Sequence, residues 1–276
     1  DFCLSRGLGD VYKRQALFLR QRPVLAGLAF ALGTLCKEYG ACGPATVLVY
    51  LAAVVVLERP SREKVMRHAT STAVMALVYL ASFLTLLWLL DRRWSTYVSP
   101  FAHLQHIWSY GTGLRTTLGS SGIESWPWQW LLDEAQIPDL AAAVTICGQS
   151  AGYGLSCPPD AATSVYDAVL VRGALNPYLI LAAPLSFGYA ITRLRDRRDR
   201  AGLLSLAWFV TSFLPFVLAS VLDHRISYIY YMLPVVPSLV LATAQLFTDR
   251  RLPSAVVAAY CLAVLYGFAE YFPFVG

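Results

Sequence analysis

"PVLAGLAFALGTLC" at 23–36, "KEYGACG" at 37–43 and "PATVLVYLAAVVVL" at 44–57 form one continuous run. Its reading decides the fold. Each apolar segment falls short of the ~20 residues that cross a bilayer upright. Between them lies a charged, glycine-rich break. Broken helices at membrane depth are tolerated where the backbone lines a protein-enclosed or watery cavity. The run therefore predicts a short broken helix pair around Lys37, beside Gly40, Gly43 and Pro44. An ionisable residue in that setting is a functional-site candidate. The simpler alternative stays open: a long cationic side chain at a span end can be an interfacial anchor that snorkels to the headgroups.

Working outward, five further apolar segments follow at about 69–90, 174–192, 202–222, 226–247 and 254–272, giving seven helices. Of the 276 residues, 57% are hydrophobic and 14% charged, against about 25% charged in an average soluble domain. The composition predicts an all-α polytopic membrane protein. The formal charge is +5. Residues 1–15 hold three of the 22 basic and two of the 17 acidic residues, so +4 remains without them. That excess sits beside the spans and argues topology, not nucleic-acid binding.

Lys and Arg set the orientation. Loop 58–68 carries Arg59, Arg62, Lys64 and Arg67, loop 193–200 carries five arginines, and loop 248–251 carries Arg250 and Arg251. Placing all three in the cytoplasm satisfies the positive-inside rule. The spans then alternate so that Lys37–Glu38, residues 91–173 and the turn Asp223–His224–Arg225 share the outer face. The domain plan is 16–90 as transmembrane helices including the broken pair, 91–173 as an extracytoplasmic loop, and 174–276 as the C-terminal transmembrane helices.

Residues 1–15 stand apart. They put the basic pair Lys13–Arg14 last, with no apolar core before it, the reverse of a secretory signal. The string resembles translated library-adapter sequence of the kind that contaminates metagenomic protein predictions. The native chain is expected to begin near Ala16, already in mid-protein, making this a fragment with an artefactual leader.

The 91–173 stretch is too long for a connector, and structureless loops beyond ~12–15 residues are usually functional. Phe101, Leu104, Ile107 and Trp108 recur at helical spacing among His103 and Gln105, which predicts a helix lying in the membrane interface. Trp126, Trp128 and Trp130 alternate around Pro127. They form either an interfacial aromatic belt or a platform for a sugar face. "AAAVTIC" and "SVYDAVLVRG" are β-rich and predict a small hairpin. Cys147 and Cys157 share this loop and pair only if it faces an oxidising compartment. His103 and His106 lie three apart, but two ligands alone are weak evidence for a metal. No glycine-rich phosphate loop, zinc-ligand array or nucleophile elbow occurs in the chain, and no cofactor is expected.

Four stretches in order carry a family resemblance: "LAGLAFALGTLCKEYG", "SYGTGLRTTLGSSGIESWPWQWLL", "RGALNPYLILAAPLSFGYA" and "HRISYIYYMLPVVPSLVLA". They resemble the glycine-spaced helix ending in Lys, the Trp-rich outer loop, the next span and the late Tyr-rich, double-Pro span of the protein O-mannosyltransferase superfamily, glycosyltransferase family 39. The resemblance covers nearly all of residues 17–250. It implies a GT-C-type helical bundle in the cytoplasmic (plasma) membrane of a prokaryote. Such an enzyme moves a sugar, mannose or one like it, from a polyprenyl or dolichyl phosphate carrier to an outer-face acceptor such as protein Ser/Thr. Its partners are membrane lipid, the lipid-linked donor and that acceptor. The family's catalytic acidic residue lies in a first outer loop, expected upstream of this fragment, so the fragment alone is expected to be inactive.

The residues themselves fit that chemistry. Cations at span ends hold an anionic leaving group and stabilise charge as the sugar–phosphate bond breaks. Arg meets phosphate as a bidentate fork and Lys as a point charge. Lys37 and Arg225, with His224 and Tyr228 as neighbours, are the candidates for the lipid phosphate. Asp223 orients Arg225 in this reading, and Trp126, Trp128 and Trp130 form the sugar or acceptor loop. A lipid-linked-sugar transporter or flippase, or a non-catalytic membrane subunit, remains the alternative. Transporters often carry internal repeats, and none is visible here.

Overall fold

In a computed structural model, the structure describes residues 22–94, 97–113, 125–131, 144–147, 150–153, 163–166, 175–194, 200–225, 227–248 and 252–270, the three segments between 144 and 166 as backbone. The leader at 1–15 and Cys157 lie outside the described residues, as does the side chain of Cys147.

The opening run folds much as its break suggests. Helix α1 spans Pro23–Cys36, with proline in its first turn, where a missing N–H costs nothing. It ends at Lys37, whose backbone is extended (φ −158°, ψ 135°). A 3₁₀ turn over Glu38–Ala41 then leads straight into α2, Cys42–Glu58. The break is thus one extended residue wide. The second member of the pair is not half-length: Glu38–Glu58 forms 21 helical residues, with an 18-residue window of mean hydropathy 2.1. Gly40 makes the fold-back possible. A Cβ there would sit 2.5 Å from the Gly33 carbonyl carbon and against the Thr34 amide.

α2 stops at Arg59 in the left-handed region (φ 45°), before Pro60, which cannot continue a helix. α3 runs 33 residues, Arg62–Trp94. The basic residues expected in a loop, Arg62, Lys64 and Arg67, therefore ride on its first turns. At about 50 Å it exceeds a ~30 Å hydrocarbon core. After α4 (Pro100–Gly113) and the short α5 (Pro127–Leu131) come three strands: β1 Val144–Cys147, β2 Ser150–Tyr153 and β3 Thr163–Tyr166. They pair antiparallel in the order β2-β1-β3. The expected hairpin is accordingly a three-stranded sheet, with β1 and β3 in the two segments read as β-rich.

α6 is Pro177–Arg193, capped by the Asn176 side chain accepting from the Tyr178 amide at 3.1 Å. α7 covers Arg200–Asp223. The following segment, expected as a span from 226, instead forms a 3₁₀ turn at Ile229–Met232, and α8 begins only at Val236, ending at Phe247. α9 is Ser254–Glu270. Three of these stretches, Glu38–Glu58, Arg62–Trp94 and Arg200–Asp223, are long and apolar enough to cross a membrane.

Helix packing uses small residues and hydroxyls, as in bundles that close without a strong hydrophobic drive between helices. Gly27 brings α1 against α3, so that a Cβ would meet the Met75 carbonyl oxygen at 2.6 Å. Thr46 and Thr211 hydroxyls meet at 2.7 Å between α2 and α7. Ser186 donates to Thr243 at 3.2 Å between α6 and α8. Large apolar side chains meanwhile point outward: Leu77 is 70% exposed, and Leu181, Leu185 and Leu222 are each 71% exposed. Apolar exposure on this scale suits a lipid-facing surface.

α2 and α7 are antiparallel and in register. Thr46, near the start of α2, meets Thr211, near the middle of α7, and Arg200 Nη2 reaches Glu58 Oε2 at 3.1 Å. The pair Glu58–Arg200 therefore marks one end of the bundle. Lys37, Asp223 and Arg225 mark the other.

Candidate functional site

At that second end, four elements enclose a cleft of about 1280 Å³. The turn after α1 supplies Lys37 and Glu38; α4 supplies residues 104–108 and 110–112; α7 supplies Pro215, Ala219 and Asp223; the chain beyond it supplies Arg225, Tyr228, Tyr230 and Tyr231. Lys37 and Arg225, far apart in sequence, thus face one space.

Each cation is placed by a local backbone device. Lys37 is presented by the extended residue that interrupts α1. Its Nζ lies 3.6 Å from Glu38 Oε1, with both side chains more than half exposed, and 5.7 Å from the centre of the Tyr39 ring. An exposed pair of this kind contributes at most about 1 kcal/mol, so an anion of higher charge can compete with Glu38 for the ammonium. Arg225 follows His224, which ends α7 in the left-handed region (φ 50°). The Arg225 N–H then bonds back to the Ala219 carbonyl at 3.2 Å. Its guanidinium lies beside α4, where a Cβ on Gly111 would be 3.7 Å from Nη2. Arg225 Nε is buried without a hydrogen-bond partner among the described residues. A buried donor of that kind costs free energy until it is satisfied.

Of the other phosphate candidates, Tyr228 lines the cleft and His224 does not; His224 is exposed at the turn itself. The tryptophans separate. Trp130 is 0% exposed. Its ring packs edge-on against Phe213, Phe216 and Tyr231 at 6.0–6.4 Å between centroids, and its Nε1 donates to Ser125 Oγ at 2.7 Å. It belongs to the core and offers no face to a sugar. Trp126 and Trp128 stack on one another at 5.0 Å, and neither lines the cleft.

Sequence reasoning passed over two features. Tyr230 and Tyr231 bring aromatic faces into the cleft; the signal was the "SYIYYM" cluster, read as part of a span. The second is the seat of α4. Asp91, 3% exposed, bonds His103 Nδ1 at 2.8 Å, and the Tyr97 ring stacks on His103 at 4.3 Å. His103 is thereby committed to Asp91 and Tyr97, and His106 stacks toward Tyr110. No group of three metal-ligating side chains occurs among the described residues.

Chemically, the cleft combines two cations, two carboxylates and a tyrosine-rich wall at one end of an apolar bundle. It can bind a polar anionic headgroup while leaving the apolar flanks of the helices for a lipid tail. Comparison with protein-family models, with curated proteins and with solved structures finds no match to this chain.

Proposed function

We propose that this chain is part of a multi-span membrane glycosyltransferase of the GT-C type, similar to the protein O-mannosyltransferases. It takes a mannose-like sugar from a polyprenyl or dolichyl phosphate carrier to an outer-face acceptor such as protein Ser/Thr, in the cytoplasmic membrane of a prokaryote. One observation carries the reading: Lys37 and Arg225 line the same cleft, at the end of the bundle remote from the Glu58–Arg200 pair. The carrier phosphate sits between these two cations. Lys37 releases Glu38 to meet it, and Arg225 supplies the Nε donor that has no partner among the described residues. Charge-assisted bonds to phosphate are the strong class. The isoprenoid tail runs along the apolar outer faces of the helices. No metal or organic cofactor takes part in this scheme.

The test is donor binding by the purified chain in lipid nanodiscs, with polyprenyl-phosphate mannose as the probe. Truncating one partner of a buried charged pair costs on the order of 2–5 kcal/mol, so Arg225→Ala, at a side chain whose Nε is buried, should weaken binding by tens-fold or more. Lys37→Ala, at a side chain more than half exposed, should weaken it about fivefold, near 1 kcal/mol. Arg225→Lys should restore only part, because the fork is lost. Parent-like binding by both alanine variants would return these residues to the role of interfacial anchors.

A further inference from the structure

The sugar needs a subsite, and the tryptophans do not supply it in the cleft. We infer that the Tyr228–Tyr230 stack is the platform against which the sugar ring of a carrier-linked donor lies, with Glu38 and Asp223 accepting hydrogen bonds from its hydroxyls. This inference rests on the proposed donor class.

Tyr230 lines the cleft and is 42% exposed. It is nevertheless held rigidly. Its ring is parallel to that of Tyr228, 5.3 Å away with 8° between planes. Tyr231 braces it edge-on at 4.5 Å and 82°, and Tyr231 is itself 5% exposed and packed in the core. An exposed ring, fixed from behind by two others, is a preorganised apolar face, and preorganisation reduces what binding must spend on ordering side chains. A pyranose presents such a platform with a patch of C–H groups on one face and hydroxyls around its rim. Rim hydroxyls need acceptors, and the carboxylates of Glu38 and Asp223 line the same space. Ionised carboxylates only accept, through two oxygens each, which suits neighbouring hydroxyl donors. Lys37 and Arg225 stand beside these carboxylates in sequence and in the cleft, so the phosphate and the sugar bonded to it fall to adjacent groups. An isoprenoid tail could use the same aromatic face but would have no use for the acceptors, which favours the sugar.

The experiment compares two probes on the purified chain in nanodiscs: polyprenyl-phosphate mannose and bare polyprenyl phosphate. The quantity read is the ratio of their dissociation constants. The parent should prefer the mannosylated carrier. Tyr230→Leu, which keeps an apolar side chain but no ring face, should reduce that preference about tenfold, the equivalent of 1.4 kcal/mol. Tyr230→Phe should retain it, and Glu38→Gln should lower it. A thermal unfolding midpoint for each variant shows that the fold is kept, and the phenylalanine variant preserves the packing most closely. The inference is overturned if Tyr230→Leu keeps the full preference, or if it weakens both probes equally, which would assign the platform to the isoprenoid. A parent that binds both probes alike overturns the sugar subsite and leaves the phosphate reading standing. A parent that binds neither overturns both.

Discussion

Gly40→Ala should damage the cleft without touching a charged or aromatic group. A methyl at Gly40 would lie 2.5 Å from the Gly33 carbonyl carbon and 2.7 Å from its oxygen, where ordinary contact begins at 3.4 Å. The shortfall is close to 1 Å, and the obstructing atoms are the backbone of α1, which cannot rotate away as a side chain would. The 3₁₀ turn must therefore shift outward, carrying Lys37 and Glu38 with it. Overpacking of this kind costs about 1–3 kcal/mol, a factor of roughly 5 to 150 in the folded population. Gly113→Ala is the matched control. It ends α4 with nothing among the described residues within 4 Å of a new Cβ, and replacing glycine by alanine at a compatible position is neutral or stabilising by about 0.4–1 kcal/mol. The assay is reversible unfolding in mixed micelles by titration with SDS, followed by circular dichroism, alongside donor binding. Gly40→Ala should unfold earlier and bind more weakly than Gly113→Ala. Equal midpoints for the two variants would refute the close approach at the break.

Three further outcomes are expected. Trp130→Ala should cost about 3–5 kcal/mol, as for other fully buried large aromatic residues, whereas Trp130→Phe should lose about 1 kcal/mol with the bond to Ser125; similar midpoints for alanine and parent would mean the ring is not core. His103→Ala removes the 2.8 Å bond to buried Asp91 and should cost about 1–3 kcal/mol while loosening α4, which limited proteolysis near residues 97–113 would detect as faster cleavage. Glu58→Gln breaks the ion pair to Arg200, whose side chain is 61% exposed; unfolding midpoints should move by less than about 1 kcal/mol, and less still in 1 M salt.

The sequence by itself determined which apolar runs are helical, though not where each helix begins. In an apolar setting each backbone group must be satisfied within its own segment, so long apolar runs leave helix as the local solution, and the interruption at Lys37 is written in its charge and flanking glycines. The charge pattern of the chain also separates Glu58 and Arg200 from Lys37, Asp223 and Arg225, which lie at opposite ends of the bundle. Contacts between segments decided the rest. Only packing shows that Arg225 reaches the cleft of Lys37, because the antiparallel register of α2 and α7 rests on the meeting of Thr46 with Thr211. Only packing separates the tryptophans. Their alternate spacing suggests one face of an extended chain, yet 127–131 is helical, so Trp128 and Trp130 diverge by about 200° at 100° per residue, one outward and one into the core. The late span begins at Val236, not near 226: Pro234 and Pro237 bar a continuous helix through this stretch, and the tyrosines before it are held by one another and by Phe216. Hydropathy, a sum over neighbours in the chain, contains neither the proline stop nor that packing.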